Sequence, residues 1–118
     1  MRAQLKSLHS PDIDLSNYWP EDPGCFGFLL QAFVGAEGKE GDDSFSFILC
    51  TPRWLELESK GPVSFGANHL IVMDYDLRKI EEHLKNYCER CVGDTWIEVA
   101  AKVGRVGRWE FEDYRPNG

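Results

Sequence analysis

The sequence predicts an α+β fold in a single domain, residues 1–118. It is an antiparallel β-sheet of about four to five strands, with two main helices packed on one face and one short helix. Three observations predict it. Residues 26–34 and 44–50 are apolar, strand-like runs separated by a glycine-rich segment, which is the pattern of a hairpin. Beyond Asp76, apolar residues recur at steps of three and four, the period of helices buried along one side. Hairpin-linked strands come first and helices late, an order that places helices together on one face of a sheet. With 118 residues, 42% of them apolar and 13% aromatic, the chain can bury a core without a metal or disulfide staple.

Residues 1–9 alternate weakly and read as a first strand, ended by Ser10-Pro11-Asp12. Residues 10–25 carry Pro11, Pro20, Pro23 and Gly24 and form a long loop. The hairpin follows. Its tip, residues 35–43, holds three glycines and four carboxylates against one lysine. Thr51 can cap a short helix over 52–58 with Pro52 at its first position, and Trp54 with Leu55 or Leu57 faces inward. Ser59-Lys60-Gly61-Pro62 is a turn. Residues 63–73 read as a strand whose facing slips, since Val63 and Phe65 share one face while Leu70 and Val72 take the other; a bulge near 66–68 reconciles them. Asp74 or Asp76 caps the next helix, whose apolar stripe is Leu77, Ile80, Leu84, Tyr87 or Cys88, and Cys91, with Gly93 ending it. Thr95-Trp96-Ile97-Glu98 has capping-box spacing, and Trp96, Val99, Ala100 and Val103 give the last helix its buried side. Residues 108–114 form a final strand or edge segment.

The net charge of −7 and pI near 4.9 argue against binding nucleic acid by phosphate neutralisation and against a polybasic membrane anchor. The opening Met1-Arg2-Ala3-Gln4-Leu5-Lys6 resembles no export signal, no apolar run is long enough to span a bilayer, and the expected location is the cytoplasm. Cys25, Cys50, Cys88 and Cys91 are accordingly expected to be reduced and buried. Cys88-Glu89-Arg90-Cys91 lacks a second ligand pair for zinc. It also ends a helix instead of beginning one, where the dipole would favour thiolate, so two core cysteines are expected. His9, His69 and His83 are scattered, and no local signature ties any of them to Cys25. The sequence contains no nucleophile elbow, phosphate loop or zinc-protease motif. No catalytic residue, cofactor or metal is expected.

Aromatic and acidic residues instead gather in loops. Tyr18-Trp19-Pro20-Glu21-Asp22-Pro23 sets two aromatics beside two carboxylates, and Trp109-Glu110-Phe111-Glu112-Asp113-Tyr114 repeats the mixture. Aromatics anchor protein interfaces and carboxylates steer a basic partner. The candidate partner-binding residues are therefore Trp19, Glu21 and Asp22, then Glu37, Glu40, Asp42 and Asp43 of the hairpin tip, and secondarily Glu110, Glu112, Asp113 and Tyr114. The plainer alternative is that the aromatics pack on the core and the carboxylates only aid solubility.

Several segments carry a resemblance. They are Leu5-Lys6-Ser7-Leu8-His9-Ser10-Pro11-Asp12, Asn17-Tyr18-Trp19-Pro20-Glu21-Asp22-Pro23, Phe26-Gly27-Phe28, Thr51-Pro52-Arg53-Trp54-Leu55, Gly93-Asp94-Thr95-Trp96 and Trp109-Glu110-Phe111-Glu112-Asp113-Tyr114-Arg115-Pro116. In their order and spacing the chain resembles the type-eight immunity proteins of bacterial polymorphic-toxin systems, which include contact-dependent growth inhibition systems. The resemblance implies a cytoplasmic α+β protein that binds the C-terminal domain of a cognate toxin, often a nuclease, and blocks it without cofactor or catalysis. Two other classes remain as alternatives from the residues alone: a small hydrolase using a histidine or cysteine, and an interaction module with a partner other than a toxin.

Overall fold

The computed structural model describes residues 1–113. The chain runs β1 (Ala3–His9), β2 (Gly27–Ala36), β3 (Asp43–Cys50), α1 (Pro52–Glu58), β4 (His69–Ile71), α2 (Leu77–Glu89), α3 (Trp96–Val103) and β5 (Arg108–Trp109). β1, β2 and β3 are neighbours in that order, and β4 and β5 share the far edge of β3. The fold class is the expected one. β2 and β3 form the hairpin, in register from Gly27 opposite Cys50 to Val34 opposite Asp43.

The alternation of the hairpin strands sets the core. Phe28, Leu30, Ala32 and Val34 of β2 and Phe45, Phe47 and Leu49 of β3 are buried on one face. α2 covers that face with Ile80, Leu84 and Cys88, and α3 with Val99, Ala100 and Val103, all in one cluster. Three caps hold as the sequence suggests. Thr51 accepts from the Trp54 amide, Asp76 from Lys79 and Thr95 from Glu98. Glu98 returns a carboxylate to the Asp94 amide at 2.8 Å. α1 lies on the opposite face of the sheet, where the Trp54 ring occupies the space a side chain at Gly27 would need.

Two expectations need correction. The sheet is mixed, because β4 runs parallel to β3, pairing Ile48 with His69 and Cys50 with Ile71. A parallel neighbour needs a crossover, and residues 51–68 with α1 inside them supply one. The strand expected over 63–73 is only His69–Ile71, with no bulge. Val63 and Phe65 are 89% and 96% exposed, so their facing slips because they belong to a loop, which Asn68 turns into β4 at φ 59°. At the C-terminal end β5 is two residues, pairing Phe45 with Trp109 and Ser46 with Arg108.

Tyr75 sits in an aromatic cluster with Tyr18, Trp19, Phe26 and Phe28, at ring distances of 5.3, 5.6, 5.4 and 6.5 Å. Its hydroxyl is buried and meets no hydrogen-bond partner among the described residues. A buried hydroxyl without a partner costs stability. Tyr75→Phe is therefore expected to stabilise the protein by about 1 kcal/mol, read as a higher urea midpoint at unchanged slope. A loss of stability would show that the hydroxyl is satisfied in solution.

Candidate functional site

The hairpin tip is shaped by its glycines. Gly38 and Gly41 take left-handed backbone, φ 77° and 95°, and the Gly41 carbonyl oxygen occupies the space a side chain at Gly35 would need. Lys6 Nζ donates to the Lys39 carbonyl at 2.6 Å, fastening the tip to β1. Glu37, Glu40 and Asp42 are exposed. Glu37 faces Arg2 at 3.9 Å, an open surface pair of little energetic weight.

Asp43 differs from its neighbours. Its Oδ2 accepts from Trp96 Nε1 at 2.7 Å and from Trp109 Nε1 at 2.9 Å. It is half-buried, and it ties the start of β3 to α3 and β5. Trp109 stacks on Phe45 at 6.4 Å and meets Phe111 edge-on at 6.0 Å. Glu110 also has structural work. Its Oε1 accepts from the Ser44 amide at 2.9 Å, and its own amide donates to the Ser44 carbonyl. Because β5 pairs with the start of β3, Glu110, Glu112 and Asp113 lie at the same end of the sheet as the tip. Asp113 faces Arg108 at 3.8 Å. Tyr114 lies outside the described residues. A shallow groove of about 420 Å³ runs past Lys39, Glu40, Asp42, Asp43 and Trp96 at this end.

Trp19, Glu21 and Asp22 lie at the other end. Trp19 is 67% exposed, with one edge against Tyr75. Glu21 is exposed, and Asp22 turns its own loop by accepting from the Gly24 amide at 2.9 Å. Phe28, which Tyr18 touches, pairs with Leu49, far along the hairpin from Asp43. The ten residues of β2 thus separate the two acidic groups by roughly 30 Å. The structure gathers the hairpin tip with the C-terminal carboxylates and leaves the Trp19 loop apart.

The groups considered for chemistry are dispersed. All four cysteines are free thiols; Cys50, Cys88 and Cys91 are buried and Cys25 is half-buried. Burial, helped by Cys91 and Glu89, pushes the Cys88 thiol up to about 12, and burial also raises Cys91. Neither offers thiolate at neutral pH. His9 and His83 are exposed, and His69 Nδ1 lies 2.8 Å from the Ala67 carbonyl. Among the described residues no cluster of three or more His, Cys, Asp or Glu side chains could hold a metal ion. None of their helices is long and apolar enough to cross a membrane.

One surface was invisible in the sequence. A groove of about 600 Å³ lies between α1, the 59–66 loop and the open face of the sheet, with Ile48, Trp54, Leu55, Phe65 and His69 along it. The only available signal was the Ser59-Lys60-Gly61-Pro62 turn beside two apolar residues, which reads equally well as a strand start.

No curated protein and no solved structure matches the chain. The family model described as Immunity protein 8 matches residues 3–114, nearly the whole chain and every element above. The chain therefore belongs to the Immunity protein 8 family.

Proposed function

We propose that the protein is a stoichiometric inhibitor that binds the C-terminal domain of one cognate polymorphic toxin in the cytoplasm of the cell that makes both. Membership of an immunity family across residues 3–114 carries this reading. The charge distribution supports it, with Glu37, Glu40 and Asp42 beside Glu110, Glu112 and Asp113 at one end of a chain of net charge −7. Such a surface suits a basic partner, and a nuclease needs a basic groove for its substrate. Contact over about 800 Å² on each partner, the usual scale of a stable specific interface, would cover the tip and the C-terminal carboxylates together. Trp19, Glu21 and Asp22 form a second contact region only if the toxin reaches along the sheet.

The test is co-purification with the toxin domain encoded upstream of this chain's gene, followed by protection of cells that express that domain. A one-to-one complex and protection are expected. Protection should also survive replacement of His9, His69, His83 and Cys25 by alanine, because an inhibitor needs none of them as a catalytic group. Loss of protection in a folded variant with intact binding would favour an enzyme instead.

A further inference from the structure

β1 is an edge strand with one side engaged and the other largely open. β2 pairs along its inner side. On its outer side the 91–93 segment reaches only the first residues, through the Arg2–Val92 bridge and the bond from the Ala3 amide to the Cys91 carbonyl. Beyond Ala3, no described strand pairs with that side.

Alternation fixes which groups point out. The amides of Glu37 and Leu29 bond toward β1, to the Arg2 carbonyl and to Asp12 Oδ2, so the odd residues of β2 face β1. Ser7 and His9 stand opposite Phe33 and Gln31 and take those bonds. Leu8 stands opposite Ala32 and directs its N–H and C=O outward. A bulge lies between Leu5 and Ser7, so the free stretch centres on Leu8.

A groove of about 760 Å³ runs beside this stretch. Leu5, Leu8, Ile13, Leu15 and Leu77 give it an apolar floor continuous with the core. Asp12, Asp14 and Glu81 stand around it. Hydrogen bonds from Ser16 and Asn17 hold the Asp14 carboxyl below its ordinary range, so it stays charged. A smaller groove of about 240 Å³ continues along β1 toward Glu37, beside Lys85 and Glu89 of α2. Leu77, Glu81, Lys85 and Glu89 are four residues apart and form one row on that helix. Lysine is a common guard of strand edges, but Lys6 is drawn away to the Lys39 carbonyl.

We propose that the toxin domain adds an extended segment to the open edge of β1, centred on Leu8, with basic residues facing Asp12, Asp14 and Glu81 and apolar residues on the leucine-rich floor. The outward backbone groups select an extended chain, since main-chain bonds to a strand edge require one. The floor asks for apolar residues on the α2 side of the added strand, and the carboxylates around the groove ask for lysine or arginine side chains that reach its rim.

This rests on the toxin-binding reading, and the experiment separates the two. Amide hydrogen exchange is measured for the full chain, alone and with the upstream-encoded toxin domain. Slowing at Leu8 by about tenfold or more is expected, with affinity lowered about tenfold by Glu81→Lys and thermal stability unchanged. A complex with Leu8 exchange unaltered overturns the strand site and leaves the inhibitor reading standing. If no complex forms, that reading fails, and a capped heptapeptide of alternating lysine and valine tests the edge directly. Saturable protection of Leu8 by this peptide, absent in Glu81→Lys and absent with alternating glutamate and valine, upholds the site. No protection, or equal protection by the acidic peptide, overturns it. So does a free protein that is already dimeric with Leu8 protected, because a second copy would then fill the edge.

Discussion

Asp43→Ala should lower stability by about 2–4 kcal/mol, the largest loss expected from any single exposed-looking carboxylate of this chain. One oxygen accepts both indole N–H groups, from Trp96 at 2.7 Å and from Trp109 at 2.9 Å. Hydrogen bonds to a charged acceptor contribute about 1.5–3 kcal/mol each, and partial exposure of the site places these at the lower end. Alanine leaves two indole donors in a part-buried setting without their acceptor. It also loosens three elements together, since Trp96 begins α3, Trp109 ends β5 and Asp43 begins β3. Against a typical total of 5–15 kcal/mol the change is large, and it should lower the melting temperature by about 10 °C. Asp43→Asn keeps an oxygen in place without the charge and should fall between the two. Urea unfolding followed by tryptophan fluorescence reads both. Equal midpoints for alanine and wild type would mean that the indoles find other acceptors.

This clamp also shows where the sequence stopped being legible. Periodicity and caps were readable because they are local: Thr51, Asp76 and Thr95 each act within three residues of their own helix. The hairpin was readable because Phe45, Phe47 and Leu49 alternate against serine and lie opposite the apolar run of β2. The Asp43 clamp joins residues 53 and 66 positions apart, and no local pattern carries such a contact. A half-buried tryptophan needs an acceptor for its N–H, which can be a carboxylate, a hydroxyl or a backbone carbonyl, so the tryptophans signalled only that some acceptors were committed to the fold. Nothing in the sequence said which ones. The parallel β4 was legible in principle, because a helix between two strands makes a crossover; the isolated Val63 and Phe65 concealed it by extending the strand pattern into a loop. The separation of the Trp19 loop from the acidic tip is a matter of strand length and register, visible only once β2 is laid against β3.

Neutralising the tip should slow association with the toxin domain about tenfold or more at low ionic strength, provided Asp43 is left alone. The variant is Glu37→Gln, Glu40→Gln and Asp42→Asn together. All three side chains are exposed, and Glu37 loses only an open pair with Arg2, so the fold should keep its stability. Removing three charges from the face that meets a basic partner weakens long-range attraction more than it weakens the docked contact. The association rate should therefore fall while the dissociation rate changes little. At an ionic strength near 1 M, where the screening length is about 3 Å, the two proteins should associate at similar rates. Including Asp43 would confuse the result, because loss of the indole clamp lowers the folded population and mimics weak binding. Stopped-flow association across a salt series, with Asp43→Ala as the structural comparison, separates steering from folding. An association rate and salt slope identical to wild type would remove the tip from the interface and shift attention to the β1 edge and the Trp19 loop.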